Sequence, residues 1–213
     1  MTTLSHQPTQ TIKLIGPDAA RFLSGQVTQK VADLPPGETR YTFICDAKGR
    51  IQFHATLALE DSSFLITTEA TQAEALLQRL DRYLIADDCA LTLLPDIIPA
   101  FSSAHPPSHP DLAEAFPAET GLLDHAVSFA KGCYLGQEVI SRMKRAGKTN
   151  RNLVPLSLPL SLSTAPPEFP FTLPHPETGK AALTITSAHW GYLHRNAADL
   201  TTFTHEGFTA TLT

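Results

Sequence analysis

The stretch Lys131-Gly132-Cys133-Tyr134-Leu135-Gly136-Gln137-Glu138 is the most informative part of this chain. Basic residues follow it, namely Arg142, Lys144, Arg145, Lys148 and Arg151. The thiolate is the reactive form of cysteine, and neighbouring cations or a helix N-terminus stabilise it. The flanking glycines let the backbone come close to a ligand. The sequence therefore predicts a functional thiol at Cys133, the alternative being a small buried hydrophobe.

A short amphipathic helix is predicted directly after the cysteine. The apolar residues Val139, Ile140 and Met143 recur at helical spacing, which places the start of the helix near Gly136. The positive N-terminal end of this helix would point at the cysteine loop and add to the surrounding cations. The polar residues of its first turn could hydrogen-bond a ligand, although an acid there is equally an ordinary compensation of the helix dipole. The basic side chains could likewise form a solvated helix face.

The same eight residues resemble the KGCYxGQE signature of the folate-binding YgfZ family, relatives of the aminomethyltransferase (T-protein) of the glycine cleavage system. Three more stretches are similar to family segments: GPDAARFLSGQVTQKV at 16–31, RYTFICDAKGRI at 40–51 and GKTNRNLVPL at 147–156. The resemblance implies an α+β fold. A GcvT/YgfZ-like region with an antiparallel sheet and helices would occupy residues 1–150, and a small β-barrel-like C-terminal module would occupy residues 151–213.

The resemblance also implies a function. Members of the family are tetrahydrofolate-binding auxiliary factors that help to assemble or repair iron–sulfur clusters in client enzymes, including tRNA-modifying enzymes. In this chain Cys133 would be the functional thiol, and the partners would be folate and iron–sulfur client or assembly proteins. The folate would lie in a concavity between the two parts of the chain. The residues expected to bind it are Lys131, Tyr134, Gln137, Glu138, Arg142, Asp46 and Lys48.

Two other functions stay open. A one-carbon transferase like the T-protein needs a general base, and those relatives carry an aspartate on the strand after the DAKG turn, where this chain has Phe53 and His54. Phenylalanine cannot transfer a proton, so the base is missing or replaced. Asp46 and Lys48, in the turn itself, could equally serve turn chemistry alone. A thiol redox sensor would oxidise Cys133 reversibly, but no CxxC partner is visible in the sequence.

Composition limits the partners and compartments that we expect. The net charge of −5 disfavours direct nucleic-acid binding, because only residues 131–151 are locally basic. Three widely spaced cysteines indicate a reducing compartment without disulfides and cannot supply the four thiolates of an iron–sulfur cluster. Prolines prevent His105 and His109 from aligning on a helix, so no stably bound metal is expected. No leader-like or membrane-spanning segment is visible, so we predict a cytoplasmic protein without membrane contact.

Hydrophobic periodicity predicts the surrounding elements. Strands are indicated at 11–15, 41–45, 51–59, 64–67, 90–94, 181–187, 190–193 and 207–212, and a short helix at 19–23. Thr71 and Glu74 have capping-box spacing and predict the start of a helix whose apolar face runs from Leu76 to Leu84. Prolines predict a loop at 99–110 and argue against a central strand at 155–176.

Overall fold

The computed structural model describes residues 5–6, 8–98, 101–102, 106–158, 168–205 and 208–213. Five antiparallel strands form the first sheet: β2 (Thr9–Ile15), β3 (Thr39–Cys45), β4 (Ile51–Glu60), β5 (Ser63–Glu69) and β6 (Ala90–Ile98). Their order in the sheet is β3-β4-β5-β2-β6. A separate ribbon pairs β1 (Ser5–His6) with β7 (Phe101–Ser102).

The predicted strands of this sheet are confirmed, and each is longer than its apolar pattern indicated. β3 and β4 pair across the turn that contains Asp46 and Gly49, as expected. Side chains of β3 alternate between two cores, because successive residues of a strand point to opposite faces. Ile44 packs in the first core, whereas Phe43 and Cys45 pack in the second.

The helices α1 (Ala19–Gln26) and α2 (Ala70–Asp81) cover the face of the sheet that holds the first core. The prediction of a capping box at the start of α2 is wrong, since the helix begins at Ala70 with Glu69 as its N-cap and without a side-chain cap. β5 passes into α2 with no intervening loop, so Thr71 already lies inside the first turn.

The helices α3 (His109–Leu112), α4 (Leu123–Ala126) and α5 (Gln137–Ala146) lie on the opposite face, around the second core. The predicted amphipathic helix is α5, with Gly136 as its N-cap. The predicted loop at 99–110 is partly wrong, because β7 pairs with β1 and α3 begins within it. Residues 99–100 and 103–105, which include His105, lie outside the described residues.

A second sheet follows α5. Its strands are β8 (Arg151–Ser157), β9 (Phe171–Pro174), β10 (Ala181–Ile185), β11 (Trp190–His194), β12 (Thr202–His205) and β13 (Phe208–Leu212). Their order is β12-β13-β8-β11-β10-β9, and the outer strands β12 and β9 also approach each other. The sheet therefore nearly closes into the barrel-like module that was expected.

The prediction that prolines exclude a central strand at 155–176 is wrong for the first strand of this module. β8 is a central strand although it contains Pro155, which pairs with Trp190 of β11. The ladder with β13 pairs only Leu156 and Ser157, so the missing N–H of Pro155 falls just beyond its end, where the Pro155 carbonyl accepts a hydrogen bond from the Thr213 N–H at 3.3 Å. The predicted strands near residues 181 and 190 are confirmed. The last one begins at Phe208, and position 207 lies outside the described residues.

The two sheets are joined through the second core. Leu153 and Tyr192 of the second sheet pack there with Phe43 of the first sheet and Leu112 of α3. The Tyr192 hydroxyl also donates a hydrogen bond to the Asp111 carbonyl at 2.7 Å. Within the described part of the chain, no helix is long and apolar enough to span a bilayer.

Candidate functional site

The loop that carries Cys133 is fixed to the C-terminal end of α1. The Lys131 ammonium donates hydrogen bonds to the carbonyls of Ser24 and Val27 at 2.7 and 2.6 Å. The backbone N–H of Leu135 donates to the Gly25 carbonyl at 3.2 Å. These bonds satisfy carbonyls that a helix end leaves without partners. Lys131 therefore holds the loop in place, and burial lowers its pKa to about 8.

The other end of the loop passes directly into α5. Gly136 has a φ of +84° and is the N-cap of this helix. A Cβ atom at this position would lie 2.5 Å from the Asp46 carbonyl oxygen and 2.9 Å from the Gly49 Cα. Contacts this short are not tolerated, so only glycine fits here. The cysteine loop and the β3–β4 turn consequently meet backbone against backbone.

Asp46 holds the β3–β4 turn in shape. Its Oδ1 atom accepts hydrogen bonds from the backbone N–H groups of Lys48 and Arg50 at 2.9 and 2.8 Å. The Lys48 side chain is exposed at the surface. This is ordinary Asx-turn geometry, and it occupies one carboxylate oxygen of a residue expected to bind folate.

Cys133 is exposed and lies at a pocket of about 560 Å³. The pocket is lined by residues 133–138 together with Gly25, Gln26, Ala47 and Tyr83. It therefore brings together the cysteine and three of the expected ligand residues, Tyr134, Gln137 and Glu138. The other four, Lys131, Arg142, Asp46 and Lys48, are not among the residues that line it.

The charges around the thiol differ from the arrangement that the sequence suggested. Lys131 is engaged with carbonyls, and Lys144 lies over the Phe129 ring at 3.9 Å, 3.3 Å from an Asp124 carboxylate oxygen. Arg142 is exposed on α5. The N-terminal end of α5, which begins four residues after Cys133, adds partial positive charge at this loop.

Three residues of this region were not identified as site residues from the sequence. Gln26 and Tyr83 line the pocket, and Arg79 lies behind them. Gln26 belongs to the FLSGQ segment, so the family resemblance offered a signal for it. Arg79 and Tyr83 offered none, because helical periodicity gives only the face of α2 that meets the core.

A second polar cluster lies where β4, β5 and α3 meet. The Glu69 Oε1 atom is 2.9 Å from His54 Nε2 and accepts a hydrogen bond from the His109 backbone N–H at 2.7 Å. The His109 ring stacks on Phe53, with ring centroids 5.9 Å apart. Burial raises the pKa of Glu69, but its hydrogen bonds with His54 and the His109 backbone outweigh burial and hold this pKa below its ordinary value. In the described residues, no group of three or more His, Cys, Asp or Glu side chains is arranged to hold a metal ion.

Similarity to known proteins agrees with this architecture. The profile described as the GCVT N-terminal domain matches residues 4–119, more than half of the chain. A solved structure, the glycine cleavage system aminomethyltransferase T from Bartonella henselae, superposes with a TM-score of 0.74 at 14% identity, over 98% of this chain and 84% of that one. The expected α+β fold is thereby confirmed.

Curated relatives include two fungal proteins named iron-sulfur cluster assembly factor IBA57 homolog, mitochondrial. The protein from Pyricularia oryzae is 26% identical over 69% of this chain and 55% of its own length. The one from Neurospora crassa is 24% identical over 75% of this chain and 54% of its own length. The chain thus spans about half the length of these relatives. From the matching profile, the fold and these relatives, the chain belongs to the GCVT N-terminal domain family and, within it, to the YgfZ/IBA57-like group.

Proposed function

We propose that this protein is an auxiliary factor for iron–sulfur cluster assembly or repair and that Cys133 is its functional thiol. The exposure of Cys133 at a pocket between two helix ends carries the proposal. The names of the two fungal relatives support the cluster role. Because one thiolate is one of the four ligands that a cluster typically takes, a client or assembly protein would supply the others. The cluster would then be shared cargo.

The test replaces Cys133 in cells that depend on this protein. Cys133→Ala should reduce the activity of iron–sulfur client enzymes to the level of cells without the protein, since no other exposed thiol can substitute. Cys89→Ala is the matched control, because Cys89 is half-buried and lies outside the pocket. Full client activity with Cys133→Ala would refute the proposed role of the thiol.

We also propose that a reduced folate is a ligand. The carboxamides of Gln26 and Gln137 at the pocket suit the polar edge of a pterin ring. The half-buried Tyr41 ring beside His54 and the half-buried Phe53 ring, which stacks on His109, are further rings suited to stacking. Calorimetry with tetrahydrofolate should detect binding, and Gln137→Ala compared with Phe53→Ala would identify the surface used. No heat of binding at millimolar ligand would rule out the folate.

We further propose that tRNA-modifying enzymes are among the clients and that the protein acts in the cytoplasm. The two fungal relatives are named as mitochondrial proteins. Fractionation followed by immunodetection separates these compartments. Methylthiolated nucleosides in total tRNA should fall in cells that carry Cys133→Ala, and unchanged levels would remove this client class.

One-carbon transfer is a second candidate, favoured by the pairing of His54 with Glu69. An imidazole oriented by a carboxylate at 2.9 Å has the arrangement of a general base, on the strand where the T-protein relatives carry an aspartate. Formation of methylenetetrahydrofolate from an aminomethyl donor, lost in His54→Gln, would establish it. Absence of product with the unaltered protein would exclude it.

A further inference from the structure

A buried guanidinium lies behind the pocket of Cys133. Arg79 projects from α2 and is 8% exposed. It donates hydrogen bonds to the side-chain carbonyls of Gln52 at 3.0 Å and Gln26 at 3.1 Å, and to the Cys45 carbonyl at 3.4 Å. Its guanidinium carbon lies 3.8 Å from the centre of the Tyr83 ring. All four partners are neutral.

No carboxylate among the described residues forms an ion pair with Arg79. Asp46 acts on it from a distance, but one of its carboxylate oxygens is engaged with the β3–β4 turn. Arg82 adds a like charge. A buried charge is costly unless a counter-charge compensates it, and arginine retains its proton under physiological conditions.

Two contacts of this guanidinium are also part of the pocket. Gln26 and Tyr83 both line it, so the charge of Arg79 lies one side chain behind the pocket wall. The N-terminal end of α5 meets the same space without a side-chain cap and adds partial positive charge. Tyr134, 7% exposed, also lines the pocket, but its ring packs in the second core and its buried hydroxyl has no partner among the described residues. Glu138 is exposed at the pocket, and its negative charge opposes the positive charge of Arg79 and of the helix end.

We propose that the pocket beside Cys133 is a binding subsite for a small anionic molecule bearing a carboxylate or phosphate group. The anion would face the wall formed by Gln26, Tyr83 and the first turn of α5, where it would compensate the charge behind that wall. The thiol of Cys133 would lie next to the bound molecule. This subsite would hold its anion whether or not the protein handles an iron–sulfur cluster, so the two proposals can fail separately.

Charged disulfide reagents test the subsite through the thiol itself. In a Cys89→Ser background, Cys133 is the accessible thiol, because Cys45 is buried. Its rate of reaction with dithiobis(nitrobenzoate), which carries two carboxylates, is divided by its rate with the neutral dithiodipyridine. This ratio should be about fivefold higher in the folded protein than in urea, the effect of one unit charge at contact distance in water. Inorganic phosphate and acetate, added separately, should slow only the anionic reagent, and the stronger competitor identifies the preferred group.

Matched variants locate the charges responsible. Glu138→Gln should raise the ratio by removing a negative charge at the pocket, and Arg79→Gln should lower it toward the value in urea. Lys148→Gln removes an exposed charge outside the pocket and serves as the control. If Arg79→Gln does not fold, Glu138→Gln and the competition with added anions decide. Equal ratios in the folded and unfolded protein, or no response to Glu138→Gln, would overturn the proposal. Arg79 would then only stabilise the thiolate or the folded structure, without attracting an anion to the pocket.

Discussion

Lys131 positions the loop of Cys133 through hydrogen bonds to the backbone. Its ammonium is bonded to two carbonyls at the end of α1 and stands 4.6 Å from the centre of the Tyr134 ring. Each of these contacts fixes the path of the loop two residues before Cys133. This cation of the signature therefore contributes to the position of the sulfur.

Replacing Lys131 by Met should destabilise the protein and disorder the loop. Removing the ammonium leaves two carbonyls without donors, which costs about 1–3 kcal/mol of unfolding free energy. Urea denaturation measures this loss. Lys148→Met is the control, because that side chain is exposed, and it should change stability by less than about 0.5 kcal/mol. Equal stability of the two variants would show that the carbonyls find other partners.

The sequence located the residues of the site that are local to the cysteine but not those that tertiary packing brings to it. Cys133, Gln137 and Glu138 were expected at a site and do line the pocket. Tyr83 lines the pocket and Arg79 lies behind it only because tertiary packing brings the end of α2 next to Gln26, about fifty residues away along the chain. The periodicity of a single segment does not show which residues from remote segments will lie beside it in the folded chain.

At the scale of elements, the start of α5 is positioned by a contact between two turns. A Cβ at Gly136 would overlap the Asp46 carbonyl, and a Cβ at Gly49 would lie 3.1 Å from the Val139 Cβ. Both glycines also have positive φ angles, of +84° and +77°. This arrangement requires bare backbone at Gly136, and a side chain at Gly49 would press on Val139 in an unfavourable backbone conformation.

Gly136→Ala should therefore be far more damaging than Gly147→Ala. Gly147 has a φ of +60° at the end of α5, but open space surrounds it, so alanine there meets only backbone strain of about 1–2 kcal/mol. Gly136→Ala adds a collision with backbone and should cost at least about 2 kcal/mol more. Thermal unfolding of both variants provides the comparison. Similar losses would mean that the turn moves aside easily.

Hairpins and amphipathic helices were the elements most readily predicted, because their periodicity is a property of the local chain. The Thr71 capping box failed since the strand–helix junction at Glu69 depends on a carboxylate that bonds with His54 and His109 instead. The proline rule failed at Pro155 because β13 pairs with only the end of β8. Both errors come from partners that are remote in sequence.

For the whole molecule, Asp111 connects the helical layer to the second sheet. It is 1% exposed, and its carboxylate accepts hydrogen bonds from the Thr186 hydroxyl at 2.7 Å and from the Ser108 N–H and hydroxyl at 2.9 Å. The second core, shared by both sheets, lies alongside this connection. The two sheets should consequently unfold together.

Asp111→Ala should weaken this coupling. Loss of three hydrogen bonds to a buried carboxylate should cost about 2–4 kcal/mol, and calorimetry should show a broadened or divided unfolding transition. Asp124→Ala is the control, because that side chain is 88% exposed and pairs only with an exposed lysine, and it should cost less than about 1 kcal/mol. A single sharp transition at unchanged temperature for Asp111→Ala would show that the apolar core alone joins the sheets.

The backbone contact between Gly49 and Gly136 also bears on how this protein can evolve. A side chain acquired at either position cannot be accommodated by a change at the other, because the other is already the smallest residue there is. A lineage that loses one glycine has no local route to compensation and gains nothing by keeping its counterpart. The β3–β4 turn and the cysteine loop should therefore be inherited, and lost, as one unit.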